Sequence, residues 1–293
     1  MADRLGPGLL RWGAAHHRDL PWRRTRDPWA VLVSEVMTQQ TQVARVVPRY
    51  EAFLERWPTP AACAAASLAE VLTLWSGLGY PRRARSLWSA ASVIVEQHEG
   101  RAPDRLDLLL ALPGVGDYTA RAVLAFAFER DVGVVDTNIA RVLARCAGRP
   151  LTRSDAQRRA DEMVGEGTGW AHNQALMDLG AELCRPLPRC GDCPLRTGCR
   201  WFVAGRPEPD PAGGSHGVSR RQPPFEGSDR QVRGRILRML THGGVARLEP
   251  AGDLGGIDPS RVRRLAESLV EDGLASWSDS GELTLPASRV DPS

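Results

Sequence analysis

The chain of 293 residues has 42% hydrophobic and 25% charged side chains and a formal net charge of +3. That length supports two domains or more, each with its own core, and excludes a small domain held together mainly by disulfides. No stretch approaches the about eighteen uncharged apolar residues of a membrane helix, and the N-terminus lacks the layout of a secretory signal, so the expectation is a cytoplasmic protein without membrane contact. All 38 basic residues are arginine, which suits phosphate contacts but is also what a GC-rich coding bias produces with no change of function.

In chain order, "PWRRTRDPWAVLVSEVMTQQTQV" sets Glu35 between Val31, Leu32, Val36 and Met37. Those neighbours read as buried, and a glutamate among them costs free energy unless it is paired or protonated. Apolar residues then recur at three- and four-residue spacings over 61–76, 82–98, 118–128, 138–147 and 154–164, which predicts helices. Convincing alternation is missing until the far C-terminus, so the fold class is mainly α.

Between these helices, "ALPGVGDYTA" carries Gly114, Val115 and Gly116 directly before a helix. Backbone N–H groups at such a turn suit a phosphate, although an ordinary helix connector looks the same. In "VVDTNIARVLAR", Asp136 opens another helix; capping is the commonest task of an aspartate there. A second carboxylate in the same protein as Glu35 also meets the need of glycosidic cleavage, one acid for the leaving group and one anion beside the sugar cation. "CRPLPRCGDCPLRTGC" then gathers four of the six cysteines, Cys184, Cys190, Cys193 and Cys199, and a tight group of reduced thiols more often binds metal than forms disulfides. Cys63 and Cys146 lie in apolar helical runs and read as core.

From 206 to 222 the chain is rich in Pro, Gly and Ser, which predicts a flexible linker. Beyond it, "SDRQVRGRILRML" reads as a capped helix and "DPSRVRRLAESLVEDG" as a second one with Asp258 as cap and Pro259 at its first position. "LASWSDSGELTL" reads as a hairpin turning at Ser280-Gly281. Helices followed by a small hairpin suggest a winged helix over 223–293, whose Arg230, Arg233, Arg235, Arg238, Arg261, Arg263 and Arg264 either contact phosphates or form a solvated face with interleaved acids.

In their order, the glycine turn, the aspartate after it and the cysteine quartet resemble the helix-hairpin-helix DNA glycosylases of the endonuclease III superfamily. "PWRRTRDPWAVLVSEVMTQQTQV", "LWSGLGYPRRAR" and "HNQALMDLGAELC" resemble, more specifically, MutY-type adenine DNA glycosylases, over roughly residues 9–201. The resemblance implies a base excision repair enzyme that flips adenine out of double-stranded DNA where it is mispaired with 8-oxoguanine or guanine; a monomer is the default expectation. It also implies a six-helix barrel over 28–132 and a cluster domain formed by 133–205 with the N-terminal segment 1–27, with DNA held in the cleft between the domains.

Carried over to this sequence, Glu35 matches the acid that protonates N7 of adenine, Asp136 the carboxylate that stabilises the oxocarbenium-like sugar, and Asn138 a neighbour that positions it. Trp22, Arg23 and Gln174 match the pocket of the extruded base. Gln39, Gln40 and Gln42 fall on a loop pressed into the duplex, and Tyr80 matches an aromatic inserted beside the opposing base. Gly114, Val115 and Gly116 match the phosphate-binding turn. At Tyr118, endonuclease III carries the lysine that nicks the strand, so a monofunctional glycosylase is implied. Cys184, Cys190, Cys193 and Cys199 match the ligands of a [4Fe–4S] cluster. Zinc is the alternative occupant, but its sites usually show two close cysteine pairs, and here only Cys190 and Cys193 are close. The first cysteine gap is one residue shorter than the family's usual spacing, which bears on the phosphate contacts of that loop. A mismatch thymine or uracil glycosylase of the same superfamily, and a mismatch-binding protein without catalysis, are the alternative functions. Glu35 and Gln174 argue against the first, whose chemistry needs no N7 acid, and intact Glu35 and Asp136 against the second.

Overall fold

Apolar stripes at helical spacing, several closed by side-chain caps, give a mainly helical chain. The computed structural model describes residues 2–218, 223–246 and 256–286. No helix among them is long and apolar enough to cross a membrane. The chain divides into two compact units, one of residues 1–31, 104–110 and 115–221, the other of 32–103, 111–114 and 222–293.

The first unit is built on α1 (Ala2–Ala15), α7 (Leu106–Leu110), α8 (Asp117–Phe126), α9 (Thr137–Ala147), α10 (Arg153–Met163), α11 (Gly169–Glu182) and the short α12 (Arg200–Val203). Leu9 of α1, Ile139 and Leu143 of α9, Leu176 and Leu179 of α11 and Leu195 form its core. Asp136 and Thr152 cap α9 and α10 through their side chains. The stretch expected to be a flexible linker departs from that reading over its described part. Residues 211–214 form a 3-10 turn capped by Asp210, Pro211 and Ala212 are buried, His216 N–H donates to the Leu151 carbonyl at 2.9 Å, and Asp210 pairs with Arg145 of α9. Small apolar side chains and one buried ion pair are enough to dock a segment whose composition promised little to bury.

The second unit contains α2 (Pro28–Thr38) from Leu32 onward, α3 (Val43–Arg56), α4 (Pro60–Ala65), α5 (Leu68–Trp75) and α6 (Arg82–Gln97). The single helix expected over 61–76 is two. Ser67 and Glu70 form a reciprocal capping box that starts α5, and Ala66 before it is extended at φ −73°, ψ 155°, a local choice that overrides the continuous periodicity. The tail belongs to this unit. It consists of α13 (Asp229–Gly243), β1 (Val245–Ala246), α14 (Pro259–Glu271), β2 (Ser276–Trp277) and β3 (Leu283–Thr284), with Ser228 and Asp258 as caps. Its antiparallel sheet has the order β1-β3-β2. Gly281, at φ +74°, closes the hairpin where expected; the strand β1 was not foreseen.

Candidate active site

Asp136 ends an extended segment held by α11: the Asn173 side chain accepts from the Val134 N–H at 2.9 Å and donates to the carbonyls of Val132 and Gly169 at 2.9 and 2.7 Å. One Asp136 oxygen accepts the Ile139 N–H at 2.7 Å, which is the capping bond, and the other accepts from the Asn138 amide at 3.1 Å. Asn138 Oδ1 in turn accepts from Arg141 Nη2 at 2.8 Å, and the same nitrogen donates to the Gly180 carbonyl at 2.8 Å. Arg141 Nε reaches the Cys184 carbonyl at 2.5 Å. A Cβ on Gly180 would stand 2.7 Å from Asn138 Cβ, so glycine there allows α11 to approach this chain of contacts. Burial holds the Asp136 carboxyl above its ordinary pKa, while the bonds from Ile139 and Asn138 and the charge of Arg141 act the other way.

Trp22 and Arg23 form a 3-10 turn, and Gln174 lies on α11, 5% exposed. The turn is locked by an ion pair: Arg23, only 6% exposed, donates to both oxygens of Asp178 at 2.7 and 2.9 Å. Arg18 Nε adds a bond of 2.5 Å to the same carboxylate. The Arg23 guanidinium is held by Asp178, one helical turn from Gln174, and it fixes the turn that carries Trp22. Burial alone would raise the Asp178 carboxyl, but the bonds and charges of Arg23 and Arg18 outweigh it and hold the group below the usual range. His172 beside Gln174 is buried, with Nε2 unpartnered among the described residues, and desolvation lowers its pKa to about 4. Tyr118 is half-buried in the first turn of α8.

In the second unit, Glu35 is 5% exposed on α2. After α2 come half-buried Gln39 and exposed Gln40 and Gln42, with Gln40 at φ +54°; Tyr80, at φ +48° and 37% exposed, follows Gly79. Arg83 joins these two loops. Its Nη1 donates to the carbonyls of Val36, Met37 and Gln39 at 2.8, 3.0 and 2.6 Å, and its Nη2 to Thr41 Oγ1, the Leu78 carbonyl and the Gly79 carbonyl at 3.0, 3.3 and 3.1 Å. The guanidinium also lies 5.3 Å from the Tyr80 ring centre. Two left-handed non-glycine residues in adjoining loops mark strain that this arginine stabilises. Gly114 is at φ +75° and a Cβ there would meet Ser86 at 2.5 Å, whereas a Cβ on Gly116, the residue before α8, would meet nothing within 4 Å; buried Val115 lies between them.

The four clustered cysteines border one recess with Val142, Leu195 and Trp201. Arg145 closes one side, with Nη1 3.4 Å from Cys184 Sγ and its guanidinium 4.8 Å from the Trp201 ring centre. Cys63 is plain core, as expected. Cys146 is core but also a neighbour of the quartet: it lines the same recess, and the hydrogen bond it shares with Cys199 pulls Cys199 toward the thiolate and pushes Cys146 up. Sequence reasoning missed Arg83, Arg141, Asn173 and Asp178. All four stand in quoted stretches, Arg83 in "LWSGLGYPRRAR", Arg141 in "VVDTNIARVLAR" and Asn173 and Asp178 with Gln174 in "HNQALMDLGAELC", but nothing in those stretches names their partners.

Residues 33–164 match the profile of the HhH-GPD superfamily of base excision DNA repair proteins. The solved structure of a thermostable thymine-DNA glycosylase superposes with a TM-score of 0.65 at 28% identity, covering 69% of this chain and 97% of that one. An adenine DNA glycosylase of Mycobacterium tuberculosis is 43% identical over 287 residues, which is 95% of this chain and 92% of that protein. The adenine DNA glycosylase of Homo sapiens is 43% identical over 208 residues, 66% of this chain and 38% of that protein. The chain belongs to the adenine DNA glycosylase family.

Proposed function

We propose that this chain is a monofunctional glycosylase that removes adenine opposite 8-oxoguanine or guanine in double-stranded DNA. The observation that carries the reading is the fixed carboxylate of Asp136, each oxygen engaged by one donor at the start of α9. In this reading Glu35, buried on α2, protonates N7 of adenine, so that the base leaves as a neutral molecule. Asp136 provides negative charge beside the sugar cation, and its two donors hold it in place so that little reorganisation is needed as charge develops. Asn138 orients Asp136, and Arg141 fixes Asn138 by taking its amide oxygen as acceptor. Trp22 and Gln174 receive the base, with Arg23 and Asp178 as the buried brace behind them.

Gln39, Gln40, Gln42 and Tyr80 meet the duplex, and Arg83 keeps their loops in register. The turn Gly114-Val115-Gly116 takes a backbone phosphate: the open space over Gly116 lets the ligand approach the N–H groups that begin α8. With no lysine in the chain and tyrosine at 118, no side-chain amine is available to form an imine with the abasic sugar.

Cys184, Cys190, Cys193 and Cys199 would hold a [4Fe–4S] cluster, which supplies a rigid four-thiolate crosslink of this segment. Supporting this, all four cysteines border a common recess, and only Cys190 and Cys193 form the close pair that zinc sites usually show twice.

Single-turnover reactions on duplexes carrying A:8-oxoguanine, A:G, T:G and U:G test the reading. Release of adenine from the first two is the expected result. Release of thymine or uracil would favour a mismatch thymine or uracil glycosylase, and binding without any release would leave only mismatch recognition.

A further inference from the structure

Tyr80 stands two residues before α6 in a left-handed conformation, at φ +48°, and a tyrosine keeps such a backbone only where its surroundings fix it. Its carbonyl accepts the Arg83 N–H at 2.9 Å, and the Arg83 guanidinium lies 5.3 Å from its ring centre. A further hold comes from the tail. From the first turn of α13, Arg230 Nη1 donates to Tyr80 Oη at 3.4 Å, while its Nη2 is fixed on the Pro223 carbonyl at 2.9 Å.

The tail grips the start of α6 at a second place. Asp272, at the C-terminal end of α14 with its side chain 11% exposed, accepts from Arg82 Nε at 2.7 Å, and Arg82 Nη2 and Arg233 Nη2 close on the same carboxylate. Its main-chain carbonyl accepts from Arg85 Nη1 at 2.6 Å. An acid at a helix C-terminus meets the negative end of the helix dipole, so nothing within α14 favours an aspartate there. The arginines it gathers do: burial alone would raise the Asp272 carboxyl, but the bonds from Arg82 and Arg233 outweigh it and hold the group below the usual range. At the next residue, Gly273, the backbone is left-handed at φ +62°, and a Cβ would press on the Arg85 guanidinium at 2.9 Å. Arg82 and Arg85 lie in the first turn of α6, so Asp272 fastens the helix that Tyr80 leads into.

We propose that the tail is a brace for Tyr80: by fastening the first turn of α6 through Asp272 and the phenol through Arg230, it presets the ring in the position from which it selects a mispaired duplex. The inference rests on the reading of Tyr80 as a duplex contact. Presetting matters because the cost of ordering a side chain and its strained backbone at the moment of binding is subtracted from affinity. That loss falls on the duplex whose base pair Tyr80 engages. Phosphate contacts elsewhere carry no sequence information and are the same for every duplex. Asp272 and Arg230 are thus positioning residues, acting through Tyr80.

The test is equilibrium binding of the full chain to two duplexes that hold a non-cleavable adenine nucleotide, opposite guanine in one and opposite thymine in the other, with selectivity read as the ratio of the two affinities. Tyr80→Ala should lower that ratio roughly tenfold, the scale of one base–aromatic contact. Asp272→Ala should lower it about threefold when Tyr80 is present and not at all in the Tyr80→Ala background, because residues acting through one another do not add. Gly273→Ala, which presses on Arg85 and removes no charge, should behave as Asp272→Ala does. Arg263→Ala breaks an exposed pair with Glu267 on the same helix and should leave the ratio unchanged, and melting curves should show the folded body in each variant. Equal loss of affinity for both duplexes in the Asp272 and Gly273 variants, an unchanged ratio in both, or the same drop without Tyr80 would each overturn the proposal. An unchanged ratio in Tyr80→Ala removes the duplex role of Tyr80 and the brace with it. The functional reading fails separately, by absence of adenine release from mispaired duplexes by the wild-type chain.

Discussion

Replacing Arg83 by methionine isolates what one half-buried cation does for two loops. The side chain donates to five main-chain carbonyls and to Thr41 Oγ1. Methionine fills much of the same space and satisfies none of these acceptors. A bond to a charged donor contributes about 1.5–3 kcal/mol, but six bonds on one group are far from additive. Burial opposes the gain, since desolvation lowers the Arg83 pKa to about 10. Breaking a buried charged network costs about 3–5 kcal/mol, so we take roughly 3 kcal/mol as the loss. At about 2–4 °C per kcal/mol for a chain near this size, the melting midpoint should fall by about 6–12 °C. Calorimetry on the full chain measures it, and duplex binding should weaken in parallel as Gln40 and Tyr80 leave their left-handed conformations. Arg83→Lys should recover only part of the loss, because three donors on one nitrogen cannot reach both loops in a fixed plane. A methionine variant with unchanged melting and unchanged binding would refute the assignment of Arg83 as the joint between the loops.

Glu35→Gln should bind duplex normally and lose excision rate by several powers of ten, a barrier change of about 4 kcal/mol or more, read in single-turnover kinetics; near-normal excision removes Glu35 from the acid role. Borohydride reduction during turnover should trap no more than a trace of enzyme on DNA, and the product strand should remain intact until alkali is added. Purified protein should be brown, with about four irons per chain, and Cys190→Ser should lose colour and DNA affinity before helical content; stoichiometric zinc in a colourless, active anaerobic preparation would contradict the cluster. Asp178→Asn removes the carboxylate that balances Arg23 and should cost about 3 kcal/mol at neutral pH. Because the folded Asp178 pKa is lowered, its contribution is complete above the ordinary carboxylate range and disappears as pH falls through the folded value, so the variant's acid limb in a denaturation series should be flatter than the wild type's.

What could be read from the sequence was local. The caps at Ser228 and Asp258, the hairpin at Gly281 and the burial of Glu35 each depend on a few adjacent residues, and each stands in the structure as its neighbours suggested. The capping box at Ser67 was equally local but was obscured by continuous helical periodicity. Arg83 and Arg141 could not be read in this way. Their acceptors are main-chain carbonyls as far as 47 and 43 residues away, and a carbonyl leaves no mark in a residue code. The docking of 210–216 was hidden for a related reason, since its anchor Asp210 meets an arginine 65 residues earlier in the chain. For Asp136 the sequence left two tasks open, helix cap and catalytic anion, and the structure shows why they need not exclude each other: the Ile139 N–H takes one oxygen and Asn138 the other.

The arginine-only composition can now be divided by environment. Exposed arginines such as Arg56 and Arg105 pair with exposed acids, where an ion pair contributes little whichever cation makes it and coding bias is explanation enough. The interior is different. Arg23 engages both oxygens of Asp178, Arg141 links Asn138 to the Gly180 and Cys184 carbonyls, and Arg145 reaches Asp210, Cys184 Sγ and the Arg185 carbonyl. Each uses several donors of one planar group to hold segments far apart in sequence, which a compact ammonium cannot do. A bias that is neutral at the surface therefore supplied the residue type on which the buried joints of this chain depend.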